Sequence, residues 1–268
     1  MVWSSAKSKV IRFLIFIIGK VGVGITSYEN LAKLRRQSQD GSRSTLEFIF
    51  ASSPSNYEQM IPLLIKSKSD LKQDLFALSE ANFKKEGYFV EFGATNGIFA
   101  SNSYLLETEF SWSGILAEPG IIWKDQLQVN RPNASIETLC VWKDSNSTLI
   151  FNETEIPSLS TIESFSDKDN HKNTRRAGKK YEVQTISLND LLIKHQAPKY
   201  IDYLSIDTEG SEYEILRAFD FSKFSFGVIT VEHNYTNQRE LIFTLLTRNG
   251  YKRKYEGISD YDDWYVRN

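Results

Sequence analysis

Cysteine occurs once, at Cys140, so no disulfide can form within the chain. Neither sign of charge dominates: 32 Lys and Arg stand against 34 Asp and Glu, for a formal net charge of −2. Without a basic excess the chain lacks the electrostatic footprint of a nucleic-acid binder, and without an acidic excess it does not read as disordered. Long hydrophobic runs are missing too. The strongly apolar stretch Phe13–Ile18 is six residues long and bracketed by Arg12 and Lys20, too short to cross a bilayer as a helix. With Lys7, Lys9 and Arg12 before it, this stretch has the outline of a secretory signal, but the apolar part is short and no small-x-small cleavage site clearly follows. The Asn-x-Ser/Thr triplets at Asn133, Asn146, Asn152 and Asn234 therefore read as coincidence, and the expected location is cytoplasmic. Up to Arg36, seven basic residues face Glu29 alone. A basic segment with an apolar stripe can lie on an anionic membrane at the cytoplasmic face; the competing reading is an amphipathic helix packed on its own domain.

What is present is a globular composition, with 41% hydrophobic and 25% charged residues over 268 positions, enough for one large domain or one domain with an appendage. Residues 1–80 read mostly as helix, punctuated by Pro54 and Pro62, and form an expected N-terminal helical extension. From Gly87 the pattern alternates. Strands are expected at 88–92, 113–117, 135–141, 201–206 and 227–231, with helices at 98–107, 123–129, 212–218 and 238–249, and a closing hairpin from 251–255 and 263–266. This order implies an α/β domain over residues 81–268, a mainly parallel central sheet with helices on both faces. The stretch 142–181, rich in Ser, Asn, Asp and Thr and ending in the basic tract 171–180, breaks the rhythm. It reads as an irregular insertion, either a lid or binding loop or a disordered segment. No internal repeat is apparent.

Four strand ends carry chemistry. In Phe89-Val-Glu-Phe-Gly-Ala-Thr-Asn-Gly97 a strand runs into a glycine turn, the place where open α/β sheets bind ligands. The spacing is Gly-x-x-x-Gly rather than the dinucleotide Gly-x-Gly-x-x-Gly, and no Gly-Lys-Ser/Thr follows, so neither a dinucleotide fingerprint nor a phosphate-cradling loop is present. Glu91 would repel a pyrophosphate but suits a ligand carrying an ammonium and a sulfonium, as S-adenosylmethionine does. Glu118 ends the next strand in Ile115-Leu-Ala-Glu-Pro119, where a carboxylate can take both hydroxyls of a ribose. Asp207 and Glu209 end the strand of Tyr203-Leu-Ser-Ile-Asp-Thr-Glu-Gly210; two close carboxylates raise each other's pKa, which suits proton uptake. Glu212 and Glu214 also read as acids favoured by a helix N-terminus. Glu232 and His233, one of three histidines, end the following strand and would share the rim with Asp207.

These motifs, together with Val183-Gln-Thr-Ile-Ser-Leu-Asn-Asp-Leu-Leu192 and the long element Ser205-Ile-Asp-Thr-Glu-Gly-Ser-Glu-Tyr-Glu-Ile-Leu216, resemble the FkbM-type methyltransferases from about Gly87 to the C-terminus. The resemblance implies the Rossmann-like class I methyltransferase fold and O-methylation, often of a hydroxyl on a sugar or natural product. It implies cofactor contacts at Glu91, Gly93, Asn96, Gly97 and Glu118, with Ala94 in the same turn, and an active cleft holding Asp207 and Glu209. The residues leave the base open among Asp207, Glu209, Glu232 and His233. They also leave open a divalent metal such as Mg²⁺ on Asp207, Glu209 and Glu232. The expected partner is a small-molecule or glycan acceptor, and the basic tract is a candidate contact for a phosphorylated or nucleotide-linked sugar. Two rival readings stand beside this one: a nicotinamide-dependent oxidoreductase on the same sheet, and a binding protein that keeps the fold without turnover.

Overall fold

The computed structural model describes residues 45, 47–49 and 51–268, and the basic N-terminal segment with its membrane and helix readings lies outside them. Among the described residues no helix is long and apolar enough to cross a membrane. The strands are β1 (Tyr88–Phe92), β2 (Ser113–Ala117), β3 (Ser135–Glu137), β4 (Cys140–Trp142), β5 (Thr148–Glu153), β6 (Thr161–Ile162), β7 (Lys179–Ser187), β8 (Tyr200–Ile206), β9 (Ser225–Glu232), β10 (Tyr251–Lys254) and β11 (Asp262–Arg267). The helices are α1 (Tyr57–Met60), α2 (Gln73–Glu80), α3 (Tyr104–Phe110), α4 (Lys124–Asn130), α5 (Lys172–Arg175), α6 (Leu188–Lys194), α7 (Glu212–Arg217) and α8 (Gln238–Arg248).

The main sheet runs β10-β11-β9-β8-β1-β2-β3. Strands β3, β2, β1, β8 and β9 are parallel, and β11 inserts antiparallel between β9 and β10. This is the Rossmann-like arrangement of the class I methyltransferases. Strand order reverses between β1 and β8, so the crossovers leave in opposite directions and open a crevice beyond the carboxyl ends of those strands. Alternation along each strand sorts its side chains onto two cores. Val90, Phe92, Leu204, Ile206, Ile229 and Val231 pack against Leu191, Ile215, Leu216 and Ile242 on one face. Phe89, Leu116, Tyr203, Val228 and Trp264 pack on the other against Phe48, Leu75, Phe76, Leu78 and Leu105. Residues 44–268 form one compact unit, so the described part of the helical stretch before residue 80 shares its core with the sheet.

Three expectations change. The helix placed at 98–107 begins at Tyr104, because residues 101–103 wrap around the Glu91 carboxylate, which accepts the Asn102 amide and the Ser101 and Ser103 hydroxyls. The strand placed at 135–141 is two strands in two sheets: Glu137 Oε1 accepts the amides of Thr138 and Leu139 and turns the chain between them. The insertion at 142–181 is neither irregular nor disordered. It supplies most of a second sheet, ordered β4-β7-β5-β6. Its polar residues hide a period-two pattern in which Phe151, Ile162 and Val183 face inward with Cys140 and Trp142 and bury a small core of their own.

Candidate active site

At the reversal point β1 delivers Gly93 at φ 72°, with its Cα so close to β8 that an added Cβ would lie 1.9 Å from the Asp207 carbonyl oxygen. Glycine is required there for the two strand ends to meet, and the left-handed backbone adds to the cost of any side chain. Gly97, at φ 82°, has a different reason. A Cβ there would meet Arg131 Cγ at 2.6 Å and Leu127 Cδ1 at 2.8 Å, both on or beside α4. Arg131 is buried and binds Gly97 O, the Ser101 and Ser103 hydroxyls and Glu107, so it locks the turn from behind. Asn96 Oδ1 accepts the amides of Ile98 and Phe99, and Ala94 sits in the core. Ala94, Asn96 and Gly97 therefore shape the turn without lining the cavity, and the cofactor contacts expected of their side chains are not placed by this geometry.

The cavity at this crevice has a volume of about 380 Å³, in the range of small-molecule sites. Glu91, Gly93 and Glu118 line it. Glu91 lies on a buried face of β1, and both its oxygens are held by the 101–103 turn, so it secures that turn as well as facing the cavity. Glu118 is held at the end of β2 by the amides of Thr95, at 3.0 Å, and Gly120, at 2.7 Å, one on each oxygen. Burial pushes its pKa up to about 7, against those two hydrogen bonds. Each oxygen keeps lone pairs for a ligand, which fits a ribose diol.

The cavity also holds an acidic cluster. Asp207, Glu209 and Glu232 come from the ends of β8 and β9, and one oxygen of each lies within 4.8 Å of the others. Glu209 Oε2 accepts from Arg175 at 2.7 Å and from Asn234 at 3.1 Å, the geometry of an ionised carboxylate. Burial and then the charge of Asp207 nevertheless push its pKa upward, against the guanidinium. Burial likewise raises Asp207 and Glu232, and Asp207 is the next largest upward push on Glu232. Glu232 is 5% exposed and its Oε2 has no hydrogen-bond partner. Glu212 belongs to the scaffold: its Oε1 accepts the amides of Thr208 and Gly210 and the Thr208 hydroxyl, closing the turn that carries Glu209.

His233 does not join this rim. Its ring turns to the far side of the strand end, where Nδ1 accepts the Tyr235 amide and Nε2 lies 3.8 Å from Asp263, beside Arg239 and Arg253. Burial pushes its pKa down to about 4, so it is neutral and outside the cavity, and it is not placed to be the base. Alternation explains the error: the residue after an inward-facing Glu232 points the other way.

Several lining residues carry no sequence signal of their own. Asp70 comes from the segment before α2 and Tyr261 from the turn before β11. Leu159, Ile162 and His171 come from the insertion, which forms one wall. The insertion is tied to the acidic turn by Thr161, which donates to Glu209 O at 2.9 Å, and by Arg175. Lys172, Arg176 and Lys180 line a separate small depression, while His171 of the same tract lines the main cavity.

A family profile described as the methyltransferase FkbM domain matches residues 91–253, from Glu91 through the acidic rim to β10. The chain belongs to this family. The matched stretch covers the insertion and most of the cleft lining, Asp70 and Tyr261 excepted, and places the chain in a methyltransferase family. Similar solved structures include an FkbM methyltransferase from Methylobacillus flagellatus KT, at 13% identity over 69% of this chain and 44% of that chain, with a TM-score of 0.43. Others are a precorrin-6y C5,15-methyltransferase from Geobacter metallireducens GS-15 (11%, 72% and 85%, TM-score 0.38) and a TehB-like SAM-dependent methyltransferase from Corynebacterium glutamicum ATCC 13032 Kitasato (9%, 80% and 97%, TM-score 0.38). The FkbM chain described here spans less than half the length of the Methylobacillus protein. No curated protein matches it.

Proposed function

We propose that this FkbM-family chain transfers a methyl group to a hydroxyl oxygen of a sugar, glycan or related polyol. The observation that carries the reading is one cavity lined both by Glu118 with the glycine turn at Gly93 and by the cluster Asp207, Glu209 and Glu232. The cofactor supplies an activated methyl on sulfur, which leaves as a neutral thioether. Glu118 suits the ribose and the glycine turn lets the backbone approach the ligand. A hydroxyl is a weak nucleophile and must lose its proton as it attacks, and the carboxylates of Asp207, Glu209 and Glu232 are the groups placed to assist that loss. Holding the attacking oxygen in line with the methyl supplies much of the rate. Ser158, Ser160 and Asn234 offer hydrogen bonds to further hydroxyls, while Leu159 and Ile162 suit the apolar face of a ring. Among the described residues no Lys or Arg lines the cavity, which favours an acceptor without negative charge.

Incubation with S-adenosylmethionine and a panel of free and glycosidically linked sugars, read by mass spectrometry and by the position of the added methyl, tests this directly. The expected product carries one new O-methyl ether. Methyl found only on nitrogen or carbon would contradict the acceptor class. Tight cofactor binding with no transfer to any acceptor would favour a binding protein that has lost turnover.

A further inference from the structure

Most of the acidic rim's charge is uncompensated by protein. Arg175 pairs with Glu209 through Oε2, and it shares its charge with Asp169. Asp207 and Glu232 have no cationic partner at all among the described residues, and no Lys or Arg lines the cavity. Two largely buried carboxyls in contact with each other are costly to hold ionised without a counter-charge. Glu232 adds a separate sign of a missing ligand: its Oε2, in a side chain more than nine-tenths buried, has no hydrogen-bond partner although the residue faces the cavity. A buried polar atom left without a partner in an otherwise well-paired site marks a place where an ion or water belongs.

We infer that Asp207, Glu209 and Glu232 bind one divalent cation of the Mg²⁺ or Mn²⁺ class at the acceptor end of the cleft. Carboxylate oxygens from three residues, one from each within 4.8 Å of the rest, suit a hard cation that keeps its remaining positions for water and for the acceptor. Its double positive charge would offset an acidic rim that a single guanidinium shared with Asp169 does not neutralise. Bound there, it orients an acceptor oxygen and lowers the pKa of that hydroxyl. The released hydroxyl proton passes to one of these carboxylates or through it to solvent, and Arg175 fixes which oxygen of Glu209 faces the ion. The functional part of this inference rests on the methyl-transfer reading of the cleft; the binding site itself does not.

The test uses the full chain, freed of metal by chelator and then saturated with S-adenosylhomocysteine. MnCl₂ is titrated in, free Mn²⁺ is read by electron paramagnetic resonance, and MgCl₂ is added to compete. The expected result is one Mn²⁺ per chain, displaced by Mg²⁺, with affinity weakened on the order of tenfold or more in Asp207→Asn and again in Glu232→Gln. Circular dichroism and thermal melting establish that both variants are folded. Wild-type protein that binds no more Mn²⁺ than the double variant overturns the site, as does binding that neither substitution weakens. Because S-adenosylhomocysteine binding is measured separately, cofactor binding without Mn²⁺ sinks the cation alone. Mn²⁺ binding without cofactor supports the cation site and contradicts the methyl-transfer reading.

Discussion

Arg175→Ala is expected to lower the free energy of unfolding by about 3–5 kcal/mol, the range for breaking a buried ion pair by removing one partner. The side chain is fully buried, and all three guanidinium nitrogens are used: Nε donates to Leu159 O, one terminal nitrogen to Asp169 and the other to Glu209, each at 2.7 Å. Its loss would leave Asp169, Glu209 and a carbonyl without their cation, in a place where water enters poorly. Lysine does not restore the arrangement, because a point charge on a flexible stem cannot serve three acceptors set out around a planar fork. Arg175→Lys is therefore expected to recover little of the loss. Denaturant unfolding followed by far-ultraviolet circular dichroism measures both variants. A loss below about 1 kcal/mol for the alanine variant, the level of an exposed pair, would mean that the insertion does not depend on this buried link.

Asp207→Asn is expected to lower kcat for methyl transfer by about 10²–10⁴-fold while leaving S-adenosylhomocysteine affinity close to that of the wild type. Asp207 follows the tip of β8 and Glu118 the tip of β2, and the proposed reading gives the acceptor to the first and the ribose to the second. The substitution is nearly isosteric and removes a charge from a crowded acidic rim, so it should not unfold the protein. The split between rate and cofactor affinity is the informative part. On the proposed reading Asp207 acts at the reacting oxygen, whether the three carboxylates act alone or through a bound cation. A variant that keeps wild-type kcat would remove Asp207 from the chemistry. One that loses turnover and cofactor affinity together would place it on the cofactor side.

Much of the frame was legible because the main sheet is built from strands with a clear period of their own. The apolar runs 88–92, 201–206 and 227–231 are buried on both faces, as parallel central strands must be, and the closing hairpin followed from its two short runs. The acids at their ends were legible for the same reason, since a strand end fixes where its last side chains go. Direction was less legible than position. Glu232 and His233 are neighbours in sequence, yet the pleat sends one into the cavity and the other toward Asp263. The glycines were found, but the reason for Gly97 is the Arg131 side chain, a contact across 34 positions that no local pattern announces. The insertion was misread because its strands are edge-like and polar on one face, so that composition outweighed the alternation of Phe151 with its neighbours. Asp70 and Tyr261 reach the cleft, and Arg175 reaches Glu209 behind it, through tertiary packing alone.

The measurement that bears most directly on the whole account is calorimetric titration of the protein with S-adenosylhomocysteine, repeated across pH and with Glu118→Ala. The account expects binding at one site. It expects the substitution to weaken that binding on the order of a hundredfold, the scale of losing charge-assisted hydrogen bonds to a ligand. The Glu118 carboxylate must be ionised to accept two hydroxyls, and its pKa is pushed up to about 7. Affinity should therefore rise with pH up to about 7 and fall by up to about tenfold per unit below it, a dependence that the alanine variant loses. No binding to folded wild-type protein at any of these pH values would contradict the assignment of the cavity to the methyl donor. Binding that ignores Glu118 would contradict the orientation given to the cofactor within it.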